Sequence, residues 1–85
     1  MKKEKLNKKI EDYYSLYIKK SDSPPARHGK SLYIREEHHE RISQIVSVIG
    51  QGKVTLYEYV DNVLTEHFER HFEEIAHSFN NRRIY

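Results

Sequence analysis

A six-residue stretch at positions 30–35, Lys-Ser-Leu-Tyr-Ile-Arg, most limits how this chain can fold. Polar and apolar residues alternate there. Leu32 and Ile34 therefore share one face of an extended strand, and Ser31, Tyr33 and Arg35 share the other. The chain offers this strand no partner of its own. A lone strand has an open hydrogen-bonding edge and an uncovered apolar face, both unfavourable unless a second copy supplies what is missing. The pattern predicts that two copies pair into a two-stranded ribbon.

Size points the same way. Eighty-five residues, 36% hydrophobic and 33% charged, make one domain with little room for a private core. Oligomerisation is a usual remedy for such domains when metals and disulfides are absent. The chain has no cysteine, which excludes a disulfide framework and a cysteine-based zinc site and suits a reducing compartment. No apolar run approaches the roughly 18 residues needed to span a bilayer, and the N-terminus is too polar for a secretory signal. The expected location is the cytoplasm, with no membrane partner. The net charge of +2 hides an asymmetry. Residues 1–30 hold nine Lys/Arg against four Asp/Glu, a net +5, and residues 31–85 hold six against nine, a net −3. Attraction to phosphate must come from the arm and from locally placed groups.

Three segments follow along the chain. Residues 1–29 form a basic arm and linker. Leu6, Ile10, Tyr13, Tyr14 and Tyr17 keep a helical period there, compatible with an amphipathic helix or with a solvated, partly disordered tail. Ser23, Pro24 and Pro25 break the pattern, and Arg27, His28 and Lys30 surround Gly29 as a basic lead-in to the strand. Residues 30–78 are the presumed folded unit. Glu36 and Glu37 suit a helix N-terminus, and Ile42, Ile45, Val46 and Ile49 mark that helix's apolar face. Gly50 is expected to end it as a left-handed cap, with Gly52 loosening the turn. Thr55 with Glu58 reads as a capping box, and Val54 with Tyr59 as its hydrophobic staple. The second helix is expected to run to about Ser78, with Leu56, Val60, Val63, Leu64, Phe68, Phe72 and Ile75 as its stripe. Asn80 and Asn81 end it, leaving residues 79–85 as a tail.

A strand, a helix, a glycine-containing turn and a Thr-capped helix, over about residues 30–68, resemble the ribbon-helix-helix DNA-binding fold. The resemblance implies an intertwined homodimer, mainly α, with an antiparallel ribbon lying in the major groove of double-stranded DNA, which such a ribbon fits. By position it implies base contacts from Ser31, Tyr33 and Arg35. It implies phosphate contacts from Thr55 with the amides of Leu56 and Tyr57, joined by Arg27, Lys30 and Lys53. The dimer core would be Leu32, Ile34, Ile42, Ile45, Val46, Ile49, Val60, Val63, Leu64 and Phe68 from both copies. The chain departs from that pattern in three ways. Strand and first helix lie about two residues closer, a Pro is missing near Glu37, and Glu36, Glu37 and Glu40 stand near the DNA face.

A second resemblance rests on Ala-Arg-His-Gly-Lys-Ser-Leu-Tyr-Ile-Arg, His-Glu-Arg-Ile-Ser-Gln-Ile-Val-Ser-Val-Ile-Gly and Tyr-Val-Asp-Asn-Val-Leu-Thr-Glu-His-Phe. These segments, within about residues 27–75, look like a family encoded on conjugative transposons of gut Bacteroides-type bacteria. It implies work in the transfer or regulation of mobile DNA. The expected function is sequence-specific DNA binding, as a transcriptional regulator or a transfer accessory factor. The alternative is a dimeric interaction module that docks other conjugative-transfer proteins without binding DNA.

Other chemistry has little purchase. His67 and His71, four apart with Glu74 a turn further, are weak metal candidates. The residue after His67 is Phe68, where a helical His-Glu-x-x-His site needs Glu. No cofactor is expected. No nucleophile elbow, phosphate-binding glycine loop or paired-carboxylate arrangement points to an enzyme.

Overall fold

Four α-helices make up most of the computed structural model, which describes residues 2–21 and 29–82. They are α1 (Lys2–Tyr17), α2 (Glu36–Gln44), α3 (Leu56–Arg70) and α4 (Phe72–Arg82), with a π-turn at Ile45–Ile49 continuing α2. Helix α3 is the central element, with α1 and α2 both packed against it. Among the described residues no helix is long and apolar enough to cross a membrane. Arg27 and the paired prolines lie outside the described residues.

The ribbon-helix-helix expectation is overturned. Among the described residues there is no strand, and 30–35 run as irregular chain with every residue exposed, Leu32 at 82% and Tyr33 at 100%. Five alternating positions carry only a weak preference, and a strand exists only when a neighbouring backbone takes its hydrogen bonds. The far end of the segment serves α2 instead. Arg35, with φ −62° and ψ 147°, leads into the first helical turn, and its guanidinium pairs with Glu37 at 2.9 Å. The division of Leu32 and Ile34 from Ser31, Tyr33 and Arg35 between two faces of a ribbon lapses with it.

The turn between α2 and α3 is also built differently. Gly50 is right-handed, with φ −74°; the left-handed residues are Gln51 and Gly52, at φ 51° and 77°. Gly50 is required by crowding, since a Cβ there would stand 2.5 Å from the Val46 carbonyl oxygen. The wide π-turn brings these groups together, with the Gly50 amide bonding the Ile45 carbonyl at 3.0 Å.

The start of α3 follows the sequence closely. The Glu58 amide donates to Thr55 Oγ1 and the Thr55 amide donates to Glu58 Oε1, both at 3.1 Å. Val54 and Tyr59, the stapling pair, are 3% and 8% exposed and are the only buried apolar residues among those described. The far end does not follow it. One helix expected to reach Ser78 breaks at His71, where φ −108° and ψ 20° leave helical geometry. Helix α4 then runs on past Asn80 and Asn81. Hydrogen bonds from His71 to His67 and from Ile75 to His71 span the break, so it is a bend.

This arrangement leaves much surface uncovered. The chain exposes 8046 Å², where a compact monomer of its mass exposes about 5400 Å². Its radius of gyration is 16.0 Å, against about 12 Å for a compact domain of this length.

Two outcomes test the capping box. Thr55→Ala is expected to lower stability by about 0.5–2 kcal/mol, read by urea unfolding. The Thr55 amide first, and the Ser21 amide second, hold the Glu58 carboxyl below its usual range. A lowered folded-state value gives stability that is complete above the ordinary carboxylate value of about 4.3. That stability is lost as pH falls through the folded value. Thermal melts on acidification should therefore lose less in Glu58→Gln than in the parent. Equal losses would dismiss the linkage.

Candidate phosphate cleft and apolar groove

One face of α3 holds α1 through tyrosines and an asparagine. The Tyr13 and Tyr59 hydroxyls share a hydrogen bond of 2.6 Å, and Tyr17 donates to Glu66 Oε2 at 3.1 Å. The Tyr17 ring lies edge-on to Tyr13 at 5.0 Å and tilted to Tyr59 at 6.3 Å. Burial, reinforced by the Tyr13 hydroxyl, pushes the Tyr59 phenol well above its ordinary value; burial and then Glu66 do the same for Tyr17. Asn62 is buried and donates from Nδ2 to the carbonyls of Tyr17 and Lys19, at 3.0 and 2.8 Å. These are carbonyls that the end of α1 leaves without an intrahelical donor. Asn62 is thus the C-terminal cap of α1, supplied from another helix.

Where the chain leaves α1 it passes the N-terminus of α3. A cleft of about 620 Å³ opens there, lined by Lys19, Lys20, Lys53, Thr55 and Glu58 among others. Three exposed lysines and one glutamate line it, beside the positive end of a helix dipole. The Glu58 carboxylate is held by the amides of Thr55 and Ser21, at 3.1 Å each. The remaining charge can hold an anion such as phosphate.

An adjoining face of α3 meets α2 across a groove of about 250 Å³, lined by His38, Arg41, Ile42, Ile45, Val63 and Leu64 with Tyr59 and Val60. Its walls are mostly carbon, with Arg41 and His38 at the polar end. None of the ten residues expected to form a dimer core is buried within the single chain. Ile42, Ile45, Val60, Val63 and Leu64 are brought together here, whereas Leu32, Ile34 and Phe68 stand exposed outside the groove lining.

The remaining sequence-derived residues are scattered. Lys30, Ser31 and Tyr33 are exposed, and Arg35 is occupied by Glu37. Lys53 and Thr55 share the cleft, but the capping box turns the Thr55 hydroxyl towards the Glu58 amide. Leu56 is exposed and Tyr57 half-buried. The His67 ring lies tilted to His71 at 4.9 Å, and His71 Nδ1 contacts Glu74 Oε2 at 2.7 Å. No group of three metal-ligating side chains forms among the described residues. Sequence reasoning missed Lys19 and Lys20 as cleft residues and missed Asn62 altogether. The available signal for Asn62 was an amide three residues after Tyr59, on the same helical face.

Asn62→Ala should leave two half-buried carbonyls without donors and cost about 1–3 kcal/mol. Hydrogen exchange should show faster exchange across residues 2–20 with α3 unchanged. Uniform exchange across the chain would mean that Asn62 does not hold α1.

The family described as a protein of unknown function (DUF3408) matches residues 1–82, and the chain belongs to it. The match takes in α1 together with the later helices, so the basic arm is part of the family's own unit. No curated protein and no solved structure matches the chain.

Proposed function

We propose that this member of the family is a DNA-binding protein, without enzymatic activity, that works as a self-associated pair of chains. The observation that carries this reading is the cleft in which Lys19, Lys20 and Lys53 converge beside the N-terminus of α3. Lysines along a duplex gain affinity by releasing condensed counterions, a contribution that does not depend on base sequence. Helix α1, tied to α3 by Asn62 and the tyrosines, holds the chain from which Lys19 and Lys20 project. The exposed segment with Ser31, Tyr33 and Arg35 is the proposed base-contacting element, and it acts there as irregular chain. Arg35 would have to exchange Glu37 for a guanine edge. The resemblance to proteins of conjugative transposons supports a setting in the transfer or regulation of mobile DNA.

A second reading draws on the charge of residues 31–85, a net −3, and on the open groove of α2 and α3. On that reading the chain docks another transfer protein and leaves DNA alone.

Fluorescence anisotropy with mixed-sequence duplexes separates the two. Binding is expected at about 50 mM salt and should weaken steeply by about 200 mM. Replacing Lys19, Lys20 and Lys53 by Ala should weaken all duplexes alike. It should also flatten the salt slope by about 0.9 for each phosphate that these ammonium groups neutralise. Absence of binding at the lower salt would overturn the DNA reading and favour the second.

A further inference from the structure

The groove of α2 and α3 is open, and α4 carries an apolar stripe whose phenylalanines stand exposed. Phe72, Ile75 and Phe79 recur at intervals of three and four, which puts them along one side of α4 as in a coiled-coil seam. Phe72 and Phe79 are 68% and 65% exposed. The bend at His71 turns α4 away from the course of α3, and none of its residues lines the groove of its own chain. We infer that α4 of one copy lies in the α2–α3 groove of a second copy, with the exchange reciprocated.

Four observations select this occupant. Spacing is the first: an amphipathic helix with anchors one turn apart is the shape that a two-helix groove accepts. Charge is the second, since Arg41 lines the groove and the first turn of α4 carries Glu73, exposed. The alternatives within the chain are the third. The apolar residues that α1 exposes, Leu6, Ile10, Tyr14 and Leu16, share their helix with Lys5, Lys8 and Lys9, which would bring like charge towards Arg41, and the 31–35 segment offers only Leu32 and Ile34 besides Tyr33. Area is the fourth. The chain exposes about 2700 Å² more than a compact monomer would, and permanent dimer interfaces bury roughly 2000–5000 Å² in total. A two-fold exchange fills both grooves and covers both stripes, leaving no open end for further copies.

This inference rests on the self-association part of the reading above and not on DNA. The chain has no cysteine, so single thiols can be placed without background. Chains carrying Arg41→Cys are mixed with chains carrying Glu73→Cys and oxidised without DNA. The expected product is a covalent heterodimer, more abundant than either covalent homodimer. Phe72→Ser with Phe79→Ser should keep the parent's helicity by circular dichroism, because both rings are exposed. The same pair should weaken self-association by on the order of a hundredfold, as for removal of two aromatic anchors. A parent that sediments as a monomer at micromolar concentration would overturn the inference. So would crosslinking confined to pairs of Arg41→Cys chains, which would mean groove facing groove. Failure of the anisotropy experiment leaves this result standing, and failure of the crosslink leaves the lysine cleft standing.

Discussion

Helix α3 is held against α1 by polar contacts, while its side towards α2 keeps an open groove. The Asn62 amide, buried and bonded to two carbonyls at the end of α1, is the contact on which the tertiary arrangement depends. It works because a helix end brings unsatisfied carbonyls that must find donors, and a buried donor from elsewhere fixes where that end lies. Tyr13, Tyr17 and Tyr59 then fill the space around it with rings that also carry hydroxyls. The joint is therefore specific at little apolar cost, which suits a chain with so few large aliphatic residues.

Both candidate surfaces follow from this joint. By fixing the exit of α1, it sets Lys19 and Lys20 opposite Lys53 at the head of α3. By committing one face of α3 to α1, it leaves Val60, Val63 and Leu64 to α2, which is too short to cover them. Tyr59 belongs to both sides, bonded to Tyr13 while also lining the groove. The lysine-lined cleft and the carbon-lined groove thereby lie on different sides of a single helix.

What the sequence discloses here depends on how local the physics is. Thr55 and Glu58 find each other within one helical turn, so the capping box and the buried Val54–Tyr59 pair are legible from spacing alone. The 30–35 alternation is local too, but a strand depends on a partner, and alternation cannot say whether one exists. Gly50 is legible as a necessary glycine but not in its reason, because crowding against Val46 arises from a π-turn that no pattern announces. Asn62 is legible only as an amide on the face of Tyr59, without its partners, and the bend at His71 is illegible. The first answers to a helix 43 to 45 residues away. The second interrupts an apolar period that itself continues without a gap.

The tyrosine joint also gives α1 a chemical release. A phenol whose folded-state value is raised stabilises the fold fully below its unfolded value, about 10, and ceases to do so as pH climbs through the higher one. Tyr59 and Tyr17 are both shifted that way, and Tyr59 touches Tyr13 across the joint. Strong base therefore acts on the seam between α1 and α3, where both raised phenols make their hydrogen bonds.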